Sequence, residues 1–249
     1  MTAFYGKLPA RGDFITRSLP REFINRWDEW LQSGMNSSRQ ALGDAWLDTY
    51  LTSPLWRFVL PAGICGNTAW AGVLMPSMDK VGRYFPMTVT RQIDGTRSPM
   101  CSAVQNPHWF AAVEELLLDA LDAESLDLNV FEQSLRDVAF ADQDLPPMAP
   151  IEAGGSRVAL DNSLDVSLSL LGFVRDGVQQ STAGMCFWWG SGSESVAPSL
   201  LYTRSLPDPH MFTAMLAGTW SNCGWQDASA GAPSVAEDPL AQLVNQLVD

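Results

Sequence analysis

The stretch Trp56-Arg57-Phe58-Val59-Leu60-Pro61-Ala62-Gly63 decides the fold class, read with the runs 68–75 and 84–93 that follow it. All three are strand-like apolar runs carrying β-branched and aromatic residues. Gly and Pro punctuate them at Pro61-Ala62-Gly63 and Met75-Pro76. Connections this short favour antiparallel neighbours, because a parallel return needs a crossover of a dozen residues or more. The expected fold class is α+β: a largely antiparallel sheet flanked by helices.

Working outward, Phe4-Tyr5 reads as a short strand leading into a loop over residues 6–13. Leu19-Pro20 opens a helix, where a proline's missing N–H costs nothing. Phe23, Trp27, Trp30 and Leu31 recur on one helical face, and Gly34 is expected to close that helix. A second helix is expected over residues 39–51, with Leu42, Trp46 and Tyr50 in line and Pro54 beyond its end. Asn106-Pro107 starts another, with Asn as cap and Phe110, Val113, Leu117 and Leu121 as its apolar face. A further helix is expected over residues 130–140. The Pro- and Gly-rich residues 141–156 form the best internal boundary. Strands are expected at 166–174, 184–189 and 199–202. Asp208-Pro209-His210-Met211-Phe212 then repeats the helix start seen at residues 106–110. Residues 226–234 read as flexible, and 239–248 as a C-terminal helix with Leu240, Leu243 and Leu247 on one face.

Composition bounds the function. Of 249 residues, 46% are hydrophobic and 17% charged, with 10 Trp, which is too apolar and aromatic to stay disordered. No window approaches the ~18 apolar residues of a membrane span. The N-terminus does not read as a secretory signal, so the cytoplasm is expected. Cys65, Cys101, Cys186 and Cys223 lack metal-ligand or CxxC spacing and read as buried thiols. A net charge of −13 argues against nucleic acid, which demands a basic footprint. The charge is uneven. Residues 1–100 hold 11 Lys and Arg against 8 Asp and Glu, and the remainder 4 against 20. Thirteen of the 15 basic residues are Arg, whose planar fork suits bidentate contacts at interfaces, although a GC-rich genome would give the same bias.

Chemistry has few candidates. His108 and His210 both occupy the second position of expected helices, which is a structural explanation for each. Gly190-Ser191-Gly192-Ser193 is out of phase with a nucleophile elbow. No phosphate-binding glycine motif occurs, and no cofactor or metal is expected. Asp13 and Asp79 lie in Gly/Pro loops beside Arg11 and Arg83. Such a pair could hold a cation or act in hydrolysis, or it could simply fix the loops. The acidic residues Glu114, Glu115, Asp119, Asp122, Glu124 and Asp127 read as solvated helix faces, with docking of a basic partner as the sharper alternative.

Several long blocks occur in series: Tyr5-Gly6-Lys7-Leu8-Pro9-Ala10-Arg11-Gly12-Asp13-Phe14, Trp27-Asp28-Glu29-Trp30-Leu31-Gln32-Ser33-Gly34, Trp46-Leu47-Asp48-Thr49-Tyr50-Leu51, and Met75-Pro76-Ser77-Met78-Asp79-Lys80-Val81-Gly82-Arg83-Tyr84-Phe85-Pro86. In that order and spacing they resemble the TagF family of type VI secretion accessory proteins. The likeness is dense to about Pro86 and then thins to Phe187-Trp188-Trp189 and Leu206-Pro207-Asp208-Pro209. The resemblance implies a cytosolic, post-translational repressor of bacterial type VI secretion that contacts the forkhead-associated (Fha) scaffold protein. It also implies a longin-like or profilin-like relation in fold, and it supplies no catalytic residues, so no enzyme is expected. Residues 1–226 are then a TagF-like body, with 1–140 and 157–226 as alternative lobes, and 227–249 are a flexible segment and helix. Residues 6–17 and 76–85 are expected to meet in space. The expected partner-binding residues are Lys7, Arg11, Asp13, Arg17, Arg21, Asp79 and Arg83. Two rivals stay open: a structural baseplate-associated component, and a carboxylate-dependent hydrolase using Asp13 and Asp79. The sequence leaves the oligomeric state open.

Overall fold

The computed structural model describes residues 2–93, 99–141 and 183–227. Its centre is one seven-stranded sheet. The strands are β1 (Thr2–Gly6), β2 (Ile15–Arg17), β3 (Trp56–Leu60), β4 (Ala69–Met75), β5 (Met87–Ile93), β6 (Cys186–Gly190) and β7 (Ser199–Thr203). They run in the order β2-β1-β5-β4-β3-β6-β7, and every neighbouring pair is antiparallel. Strands from both halves of the sequence therefore share one sheet.

Side chains alternate across the pleat, so each strand feeds two cores. Trp56, Phe58 and Leu60 of β3 join Trp188 of β6 on one face. Val59 and Phe187, from the same two strands, lie on the other. The first face is covered by α1 (Arg21–Leu42), α2 (Trp46–Leu51) and α6 (Pro209–Ala217). The second is covered by α4 (Pro107–Asp122) and α5 (Leu128–Asp137), with α3 (Pro99–Gln105) beside them. Burial on both faces explains why the strands read as nearly continuous apolar runs. Trp27, Trp46, Trp56 and Trp70 are all buried, as their positions on the apolar faces predict.

The first helix does not stop at Gly34. It continues to Leu42 and ends where Gly43 adopts φ +54° and returns its N–H to the Arg39 carbonyl. Gly34 serves packing instead. A Cβ there would stand 2.5 Å from Cγ of Phe212, so the missing side chain lets α6 close onto α1. A 3-10 turn over Gly43–Ala45 then separates α1 from the short α2, and the single helix expected over 39–51 is split. Asn106 precedes α4 without capping it by its side chain. That amide donates to Ser102 O and Ala141 O instead, and accepts from Ala141 N–H. Asp208 does cap α6, accepting from His210 N and Met211 N at 2.9 and 2.8 Å. The strand expected from residue 84 begins at Met87, because Tyr84 is occupied in an isolated bridge to Met78. Expectations at 166–174 and 239–248, and nearly all of 141–156 and 226–234, lie outside the described residues.

Both edges of the sheet carry the same pentapeptide. Thr16-Arg17-Ser18-Leu19-Pro20 starts within the end of β2, and Thr203-Arg204-Ser205-Leu206-Pro207 starts at the last residue of β7. Each leads into a helix of the same layer, and Leu19 and Leu206 both pack on that layer's core. The helix that follows the first copy reaches the second: Trp30 Nε1 of α1 donates to Pro207 O at 2.7 Å.

Candidate functional site

Two loops meet at the end of the sheet where β1 leaves and β5 begins. Gly6, at φ +142°, ends β1, and a Cβ there would run into the backbone of Pro86 and Met87. Only glycine permits that approach. The second loop turns on itself: Asp79 N–H bonds to Arg83 O at 3.1 Å, and Gly82 N–H, at φ +80°, returns to Asp79 O at 3.0 Å. Ser77 is fixed from below by Tyr50, whose hydroxyl donates to Ser77 O and accepts from Ser77 N–H at 2.8 and 2.9 Å.

The Asp79 carboxylate holds the assembly. Its Oδ1 accepts from the backbone N–H groups of Val81 and Arg83 at 3.1 and 2.9 Å. Its Oδ2 accepts from Lys7 Nζ at 3.0 Å and Arg83 Nε at 2.6 Å. Burial alone would push this carboxyl's pKa up. The Arg83 amide, the Lys7 ammonium, the Arg83 guanidinium and the Val81 amide outweigh burial and hold it well below the usual carboxylate range. Three further bonds join the loops: Ser77 Oγ to Lys7 O at 2.8 Å, Lys80 N to Arg11 O at 2.8 Å, and Arg83 Nη2 to Gly12 O at 2.6 Å. Phe14 closes the junction, its ring 4.8 Å from Phe85, 5.6 Å from Tyr5 and 4.8 Å from the Lys7 ammonium.

The expected meeting of the two loops is therefore present, with a different pairing at its heart. Lys7, Asp79 and Arg83 come together, and Lys7 and Asp79 are buried. Those two can serve a contact only by holding the loops. Arg11 turns away, donating Nη2 to Leu126 O at 2.6 Å just ahead of α5. Asp13 is exposed and accepts from its neighbour's amide, Phe14 N, at 2.8 Å. Arg17 lies 3.5 Å from Glu132, and Arg21 is exposed at the start of α1. Sequence reasoning passed over Phe14, Lys80 and Val81, which face solvent on the same loops. The available signal was an apolar side chain in a polar Gly-containing loop with no helical or strand period to claim it.

Elsewhere the candidates resolve structurally. His108 and His210 are exposed at the second positions of α4 and α6. Glu114 is not a solvated acid: it holds Arg57 through two bonds of 2.8 and 2.5 Å across the second face. Burial pushes the thiols of Cys65 and Cys186 up to about 12, so neither is a ready nucleophile near neutral pH. Among the described residues no cluster of three or more His, Cys, Asp or Glu could hold a metal ion. No described helix is long and apolar enough to cross a membrane.

The molecule is an α+β sandwich whose most elaborate polar feature is a pair of loops locked together at one end of its sheet. Residues 3–138 match the family model described as the TagF N-terminal domain, type VI secretion system-associated, and the chain belongs to that family. It is also similar to the crystal structure of PA0076 from Pseudomonas aeruginosa PAO1, at 37% identity and a TM-score of 0.69, over 88% of this chain and 94% of that one. No curated protein matches it.

Proposed function

We propose that this type VI secretion-associated protein is a cytoplasmic repressor that acts by reversible contact with the system's forkhead-associated scaffold and has no turnover of its own. The family places the chain with type VI secretion, and the observation that favours binding over catalysis is the state of Asp79. Four donors already occupy its carboxylate, inside a shell that Lys7 and Arg83 close. A hydrolytic carboxylate has to meet water, substrate or metal, and this one meets only its own loops. The same lock gives the loops one fixed shape while keeping Lys80 and much of Arg83 outside, which suits recognition of a partner.

The test pairs a secretion assay with a pull-down of the forkhead-associated protein, using wild type and a strain lacking this chain. Reversible capture together with raised secretion in the deletion supports the repressor. Permanent co-purification with baseplate subunits would instead identify a structural part. Phosphoester hydrolysis by the purified protein that disappears in Asp13→Ala would overturn the non-enzyme reading.

A further inference from the structure

We infer that the outer face of the joined loops docks an acidic segment of a protein partner, with Phe14 and Val81 as apolar anchors and Lys80 and Arg83 as a cationic rim. This rests on the binding reading above and adds to it the surface and the chemistry of what fits there. Phe14 is held by two rings and the Lys7 ammonium, yet 42% of it remains exposed. Val81, at the tip of the second loop, is 70% exposed, and its backbone N–H donates to Asp79. An aromatic ring already fixed before binding loses little freedom on contact, which is what makes such groups effective anchors.

Charge selects the partner. The two loops carry Lys7, Arg11, Lys80 and Arg83 against Asp13 and Asp79, a positive island on a chain of net charge −13. Lys7 and Asp79 offset one another inside. Lys80 faces solvent, and its backbone N–H alone carries the bond to Arg11 O. Arg83 commits Nε and Nη2 to the fold, but its side chain is still 57% exposed. A basic or strongly apolar partner would cover the Lys80 ammonium with no counter-charge and leave the outward part of the Arg83 guanidinium unmatched. An acidic segment bearing an apolar side chain satisfies both the rim and the anchors.

The experiment places the photo-crosslinker p-benzoylphenylalanine at position 14 or 81 in cells, with position 104 on α3 as the control, since Val104 is also exposed. The expected result is crosslinking from 14 and 81, and not from 104, into an Asp/Glu-rich segment of another protein. Lys80→Glu should cut the yield from position 81 by roughly tenfold. Val81 and Lys80 lie outside the packed interior, so these variants should melt like wild type and a fold defect cannot explain the loss. No crosslink, equal crosslinking from 104, crosslinks into a second copy of this chain, or crosslinks into nucleic acid would each overturn the surface assignment. Scaffold binding by unmodified wild type is titrated separately. If that binding is absent while 14 and 81 still crosslink an acidic segment of another protein, the scaffold assignment fails and the surface stands.

Discussion

The Lys7 ammonium lies 3.0 Å from the Asp79 carboxylate, with the two side chains 7% and 0% exposed. A pair this deeply buried costs desolvation on both sides, so its net contribution to stability is small. Breaking it on one side is another matter. Asp79→Ala would leave the Lys7 charge buried and would orphan the amides of Val81 and Arg83. The expected loss is about 3–5 kcal/mol in denaturant unfolding. Adding Lys7→Met should restore the charge portion only, because the two amides stay unpaired. Full recovery in the double variant would mean that the amide contacts contribute nothing.

The same carboxylate makes stability depend on pH. Its folded pKa is depressed, so its contribution is complete above the unfolded value of about 3.9 and is lost as pH falls from there toward the folded value. Unfolding midpoints taken from pH 7 down to pH 3 should fall more steeply for wild type than for Asp79→Asn, which cannot titrate. Parallel curves would show that the group carries no linkage.

Gly34 sets two effects against each other. In a helix interior Ala is favoured over Gly by up to ~1 kcal/mol. Here the new methyl would stand 2.5 Å from Cγ of Phe212, a ring that is 2% exposed and lies 5.4 Å from Trp30. Overpacking of this kind typically costs about 1–3 kcal/mol, so Gly34→Ala should destabilise despite the better propensity. A thermal melt decides it, and an increase in Tm would mean that α6 shifts freely.

Strands β3, β4 and β5 were legible because their signals are local: apolar runs of five residues or more, cut by Gly and Pro. Trp27 and Trp46 were legible for the same reason, since a 3.6-residue period places them on one side of a helix. The edge strand β2 was not, because Ile15–Arg17 is three residues long with one buried side chain and shows no such run. Gly34 was not, because its role depends on Phe212, 178 positions away in the chain, and a glycine that stops a helix looks the same as one that admits a neighbour. The joining of the two loops followed from their composition, but the pairing did not. Nothing in the spacing says that Asp79 takes Lys7 as its second cation, or that Arg11 leaves for Leu126. Phe14 and Val81 were hidden by the rule that apolar residues belong inside. Their exposure depends on which neighbours the folded loops bring against them, for Phe14 the rings of Tyr5 and Phe85 on one side only, a tertiary property with no local signature.

Lys80 and Arg83 separate recognition from scaffolding. Arg83→Glu would set a carboxylate against Asp79 and remove the bond to Gly12 O, so it should melt early whatever its effect on binding. Lys80→Glu leaves every bond of the lock in place, because only its backbone N–H takes part. Its unfolding free energy should stay within about 0.5 kcal/mol of wild type. Against an acidic partner the reversed charge should weaken scaffold binding by roughly tenfold or more, since like charges facing each other across an interface cost several kcal/mol. Secretion in a strain carrying Lys80→Glu should rise toward that of the deletion. A variant that folds normally, binds the scaffold as tightly as wild type and still represses would remove the loop surface from the mechanism.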